Sequence, residues 1–140
     1  MQTCTRKLEF DYGHRLLNHE SKCANAHGHR ASVEVTCQAT ELDKAGRVVD
    51  FGVIKELVGR KIDETLDHAT IVNPNDASFI EWLTANEQDF FAMPDAIPEP
   101  SAENLAHLIF NWAHSLLGSD GLEVVRVRFR ETPNGWADYP

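Results

Sequence analysis

Cys23, His27 and His29 fall within one short run, Cys23-Ala24-Asn25-Ala26-His27-Gly28-His29. Two histidines at i and i+2 entering a strand project to the same face and can share one metal ion. A cysteine four residues upstream of His27 supplies a soft, ionisable nucleophile or base beside that ion. A third histidine, His14, closes an earlier alternating segment. Three convergent imidazoles with a coordination position left open make the layout of a catalytic zinc site. With Cys23 as fourth ligand the same residues make a closed structural site, and spacing alone allows both.

The strands that must position these residues are read from parity. From about Thr3 to Asp11 the even positions Cys4, Leu8, Phe10 and Tyr12 form the more apolar face, and that parity lands on His14. From His29 to about Leu42, Ala31, Val33, Val35, Cys37 and Ala39 alternate with Arg30, Ser32, Glu34, Thr36 and Gln38. This is a half-buried strand, and His29 shares its inward parity. Near the C-terminus Val125, Val127 and Phe129 alternate with Arg126, Arg128 and Arg130, so Glu131 falls on the apolar side. A carboxylate placed there needs a cation or a hydrogen-bond donor. A short last strand fits Trp136 to Tyr139.

Two helices separate these strands. Asp50 caps one from Phe51 to about Leu66, with Phe51, Ile54, Leu57, Val58, Ile62 and Leu66 on one stripe. Ser101 caps another from Ala102 to about Leu117, with Leu105, Ala106, Ile109, Trp112, Ala113 and Leu116 inward and Gly118 as the stop. His107 and His114 lie off that stripe and read as solvated. The order of elements predicts an α+β domain with two helices on one face of an antiparallel sheet. Residues 1–140 read as a single domain with a long inter-helix insertion at about 69–100. Its middle, Ala77 to Phe91, has room for one or two helical turns and reads either as a lid or subunit contact or as a surface excursion.

Composition narrows the function classes. A net charge of −9 argues against nucleic-acid binding and against attraction to anionic membranes. No apolar run approaches membrane-spanning length, and the first residues lack a hydrophobic signal core. Three cysteines, an odd number, fit reduced thiols and a cytoplasmic setting. Cys4 and Cys37 read as core residues. His19 competes weakly for a ligand role, because no strand parity turns it inward. Asp67-His68 makes a carboxylate-oriented histidine suited to proton transfer, although Asp and His are also common at helix ends.

Six motifs then occur in order: Phe10-Asp11-Tyr12-Gly13-His14, Cys23-x-x-x-His27-Gly28-His29, Val49-Asp50-Phe51, Leu66-Asp67-His68, Pro100-Ser101-Ala102-Glu103-Asn104 and Arg130-Glu131-Thr132. In these the chain resembles the 6-pyruvoyltetrahydropterin synthase family, more closely its bacterial 6-carboxytetrahydropterin branch, where the gap between Cys23 and His27 is also three residues. Gly13 departs from the alanine usual in the family, and the 69–100 segment is longer than usual.

The resemblance implies a tunnelling fold, with sheets from several subunits closing into a barrel, and a homohexamer built as a dimer of trimers. It implies zinc held by His14, His27 and His29, with Cys23 as general base and Asp67 orienting His68 for proton transfer. In the family that Asp-His pair reaches the site from a neighbouring subunit. The implied substrate is 7,8-dihydroneopterin triphosphate. The implied products are 6-carboxy-5,6,7,8-tetrahydropterin, acetaldehyde and triphosphate, on the 7-deazaguanine route to queuosine. Glu131 is then a pterin anchor, accepting the amino group and ring N–H in a bidentate pair. Glu103 and Ser101 are further candidates for the same pocket. Arg15, Lys22 and Arg30 either meet the triphosphate or are ordinary surface charge. The alternatives are 6-pyruvoyltetrahydropterin synthase or another pterin side-chain lyase, and a zinc-containing pterin-binding module without turnover.

Overall fold

The two alternating N-terminal segments form the longest pairing in the molecule. In a computed structural model describing residues 1–140, β1 (Gln2–His14) runs antiparallel to β2 (His27–Ala39). The register sets Gln2 opposite Ala39, Tyr12 opposite His29 and His14 opposite His27. Both strands therefore start or end at the histidines, and their inward parity is as the sequence predicts: Phe10, Ala31, Val33, Val35 and Cys37 are buried. β5 (Leu122–Thr132) pairs antiparallel with β2, and β6 (Gly135–Tyr139) with β5.

Parity fails at one place in β5. Thr36 pairs with Arg126 and Cys37 with Val124, so Val125 is an extra residue between them. This β-bulge turns Val124 inward and leaves Val125 half-buried, which simple alternation cannot foresee.

The predicted antiparallel sheet is in fact mixed. The Ala69–Pro100 stretch contributes β3 (Ala69–Val72), parallel to β1, and β4 (Phe90–Ala92), parallel to β3, giving the order β4-β3-β1-β2-β5-β6. Parallel pairing requires a long crossover, and the first helical rod supplies it between β2 and β3. The β-branched run Thr70-Ile71-Val72 is the sequence signal for β3.

That rod is α1 (Phe51–Ile54), a π-helical stretch Lys55–Gly59, and α2 (Arg60–Thr65), with the Asp50 carboxylate accepting the Gly52 amide at 2.8 Å. Ile54, Val58, Ile62 and Leu66 are buried, each four residues from the next. A π turn holds more residues than an α turn, so this row keeps to one face instead of drifting around the rod. The same geometry corrects the predicted stripe: Phe51 and Leu57 are exposed.

Between β3 and β4 lies α3 (Ala77–Ala85), longer than the one or two turns expected. Then α4 (Ala102–Leu117) runs over the predicted residues, and Ser101 Oγ accepts the Asn104 amide at 3.2 Å. Leu108 and Leu117 are buried in it, whereas Leu116 is exposed and not inward. At Gly118 a Cβ would sit 2.6 Å from the His114 carbonyl, so only glycine fits the stop. The rod and α4 cover one face of the sheet, and a single core of 22 buried residues joins them to β1, β2 and β5. No helix is long and apolar enough to cross a membrane.

Candidate metal centre and substrate cavity

The β1–β2 register places His14 and His27 directly opposite one another, with His29 one inward step further along β2. Their ligand atoms all lie within 4.8 Å of one another, and His14 Nε2 is 3.1 Å from His27 Nε2. Backbone carbonyls select the tautomers. His14 Nδ1 donates to Pro100 O at 2.7 Å, and His27 Nδ1 to Asn25 O at 2.6 Å. Each Nε2 is left as a lone pair directed at the shared point. His29 Nε2 is buried with no hydrogen-bond partner. Such an orphaned nitrogen is costly unless it binds something.

Burial pushes the His14 imidazole down to about 4, against the opposing pull of its Pro100 bond. Burial also lowers His29, although Glu131 partly restores it. Neutral imidazoles, carbonyl-bound on the far nitrogen, are what a divalent transition ion requires, so the residues present fit zinc. Cys23 lies in a three-residue 3-10 turn, Lys22–Ala24, anchored where its carbonyl accepts the Leu16 amide at 2.9 Å. It is half-buried and not a member of the three-histidine cluster.

Glu131 has the inward orientation that parity implied, and it finds a donor. Tyr12 donates its hydroxyl to Glu131 Oε1 at 3.4 Å. The two carboxylate oxygens lie 3.7 Å from His14 Nε2 and 3.9 Å from His29 Nε2. Burial, then the neighbouring Glu131 charge, pushes the Tyr12 hydroxyl upward, so it stays a donor. Glu131 and Glu103 both line one cavity of about 260 Å³, with Leu16, Ser101, Thr132 and Trp136. Ser101 is thus cap and lining at once.

Asp67 and His68 follow the rod. His68 Nδ1 is 3.0 Å from Asp67 Oδ1, and its Nε2 is 3.9 Å from Asp11 Oδ2. Burial raises the Asp67 carboxyl, but the Asp11 amide, His68 and the Arg30 charge together hold it below the usual range. His68 adopts a left-handed backbone, φ 60°, rare for a residue with a Cβ. With Asp11, Gly13, His27 and His29 it borders an open depression across β1. A Cβ at Gly13 would meet nothing closer than 3.5 Å, so alanine would fit there too.

Other expected roles change. Arg15 forks onto the buried Asp76 carboxylate at 2.6 and 2.5 Å and stacks over Phe79, so it ties β1 to α3 and is not free for phosphate. Arg30 pairs with Asp11 and Glu9. Lys22 stays exposed. His19 is occupied by Ser21 and does not approach the cluster. His107 is half-buried and stacks on Tyr139 at 4.0 Å, whereas His114 is exposed as expected.

Parity placed Tyr12 inward but gave its hydroxyl no role. Pro100 and Asn25 act through main-chain carbonyls, which no side-chain pattern betrays. Glu99 was also missed: it accepts the Leu17 and Asn18 amides and Asn73 Nδ2, holding the loop after His14. The end of the inter-helix segment thus braces the site through Glu99 and Pro100.

A profile of the family described as 6-pyruvoyl tetrahydropterin synthase matches residues 3–140. The chain belongs to that family. Within it, the chain is 38% identical over 136 residues to the 6-carboxy-5,6,7,8-tetrahydropterin synthase of Rickettsia conorii, covering 96% of each. It is 30% identical over 142 residues to the Haemophilus influenzae protein of the same name, again with 96% of each covered. An uncharacterized Wolinella succinogenes protein superimposes with a TM-score of 0.80 at 25% identity, over 99% of this chain and 97% of that one. The Caenorhabditis elegans 6-pyruvoyl tetrahydropterin synthase shares the fold, with a TM-score of 0.70 at 23% identity, over 99% and 94%. The family architecture, a curled mixed sheet with helices on one face, is the α+β tunnelling fold.

Proposed function

We propose that this protein is a zinc-dependent 6-carboxy-5,6,7,8-tetrahydropterin synthase. It converts 7,8-dihydroneopterin triphosphate to 6-carboxy-5,6,7,8-tetrahydropterin, acetaldehyde and triphosphate, a step toward queuosine. The observation that carries the reading is the convergence of three imidazoles beside a cavity lined by two carboxylates, in a chain close to curated enzymes of that name.

In this reading His14, His27 and His29 hold the ion through Nε2. Bound zinc supplies Lewis acidity toward the hydroxyls of the substrate side chain. Cys23 takes a proton from that side chain as thiolate base. Asp67 keeps His68 in one tautomer through Nδ1, leaving Nε2 to exchange a proton from the opposite side. Glu131 accepts the amino and ring N–H donors of the pterin as a bidentate pair, and Glu103 lines the same pocket. The chains assemble as a homohexamer, a dimer of trimers, in which the Asp67-His68 pair serves a neighbouring subunit's site. Its three free thiols suit a cytoplasmic setting.

The test is incubation of zinc-loaded protein with 7,8-dihydroneopterin triphosphate and mass spectrometry of the pterin product. A 6-carboxytetrahydropterin with released acetaldehyde supports the proposal. A 6-pyruvoyl product transfers the chain to the other branch of the family. Absence of turnover with zinc bound and the fold intact moves the weight to a different pterin substrate or to a pterin-binding module.

A further inference from the structure

Tyr12 poses a chemical question. It is 4% exposed and packs against Phe10 and Phe129, with ring centroids 5.5 and 5.8 Å away. Phenylalanine serves those neighbouring core positions, so the Tyr12 hydroxyl is a buried polar group that needs a reason to be there. Its one side-chain partner is Glu131.

Glu131 in turn has little else to fix it. The β5–β6 ladder shifts register between Arg130 and Thr132, so Glu131 is skipped, and the pairing of β5 with β2 ends at Arg130. Its inward direction follows the parity of β5, but no paired residue on either neighbouring strand pins it there. Two of its neighbours, His14 and His29, direct Nε2 toward it at 3.7 and 3.9 Å, beyond hydrogen-bonding distance. With Nδ1 of His14 donating to Pro100, the Nε2 of His14 offers a lone pair and no proton. The Tyr12 hydroxyl, held by a rigid aromatic cluster, is the donor that remains.

We propose that Tyr12 is a positioning residue whose hydroxyl holds the Glu131 carboxylate between the histidine centre and the adjoining cavity, and so sets how tightly the pterin ring is bound. The inference rests on the reading of Glu131 as a pterin anchor. Without the hydroxyl, Glu131 swings among several rotamers, and binding must first order it.

The test compares wild type with Tyr12→Phe, which removes one oxygen and keeps the ring. The probe is 7,8-dihydroneopterin without its triphosphate, binding to zinc-loaded protein followed by fluorescence. Affinity is expected to fall about 5- to 10-fold, as for loss of one ordinary hydrogen bond. Zinc content and thermal midpoint stay as in wild type, and KM rises while kcat changes less than about 3-fold. In a Glu131→Gln background the same Tyr12→Phe change has less than about a 2-fold effect, because its target is gone.

Unchanged pterin affinity in Tyr12→Phe overturns the inference. So does an effect of equal size in the Glu131→Gln background, or loss of zinc from Tyr12→Phe, which would make the ring a support for the histidines. A wild-type protein that binds zinc but no pterin overturns the functional reading, and this inference with it.

Discussion

His14 and Pro100 stand 86 positions apart, yet the imidazole Nδ1 meets the Pro100 carbonyl at 2.7 Å. That bond turns Nε2 toward the other two histidines and ties the end of β1 to the residue before the α4 cap. His14→Gln removes both the ligand and the tie. Its zinc affinity is expected to fall by at least about 100-fold, measured by chelator competition. Amide exchange in the first turn of α4 should quicken in the same variant. Retention of tight zinc would disprove the three-histidine centre.

Cys23→Ala separates an open site from a closed one. Zinc affinity should stay within about 3-fold of wild type, while turnover drops by roughly 10²- to 10⁴-fold, the usual range for loss of a general base. Metal loss in proportion to activity would make Cys23 a ligand.

His68 holds a left-handed backbone, φ 60°, which carries conformational strain for a residue with a Cβ. His68→Gly should fold with a stability within about 1 kcal/mol of wild type, whereas His68→Val should lose about 1–2 kcal/mol. Both should abolish turnover. Urea unfolding beside the product assay checks the pair, and an active glycine variant would remove His68 from the chemistry.

Arg15→Ala strands the Asp76 carboxylate, 2% exposed, without its guanidinium. A loss of about 2–3 kcal/mol is expected, below the range for fully buried pairs because Arg15 is 29% exposed. Arg15→Ala combined with Asp76→Ala should recover part of it. A urea series on the three variants gives the coupling directly.

Cys37 is fully buried, and burial, with a smaller contribution from Cys4, pushes its thiol up to about 11. Iodoacetamide at pH 8 should therefore label Cys23 in the native protein and reach Cys37 only after unfolding. Peptide mass mapping at both stages distinguishes the two thiols. Native labelling of Cys37 would contradict the packing of β2 against the helices.

Much of the site was legible before folding because β-strand geometry is short-range and periodic. Even parity through β1 and odd parity through β2 turned His14, His27 and His29 inward, and continued parity in β5 did the same for Glu131. The α4 boundaries followed from Ser101 and Gly118 for equally local reasons. Where one extra residue entered, local periodicity failed: the bulge at Val125 reset β5, and the π turn at Lys55–Gly59 moved Phe51 and Leu57 outward. The Ala69–Pro100 segment was opaque because β3 and β4 pair in parallel through long connections, and such pairing is decided by which strand edge remains free. The amino-acid sequence by itself determined the family, the three imidazoles and the two longest strands. Tertiary structure alone decided which ring nitrogens face inward and which carboxylate occupies Arg15. It also decided that Tyr12 meets Glu131. Each of these depends on main-chain carbonyls or side chains brought together from distant parts of the chain, and side-chain periodicity carries no record of them.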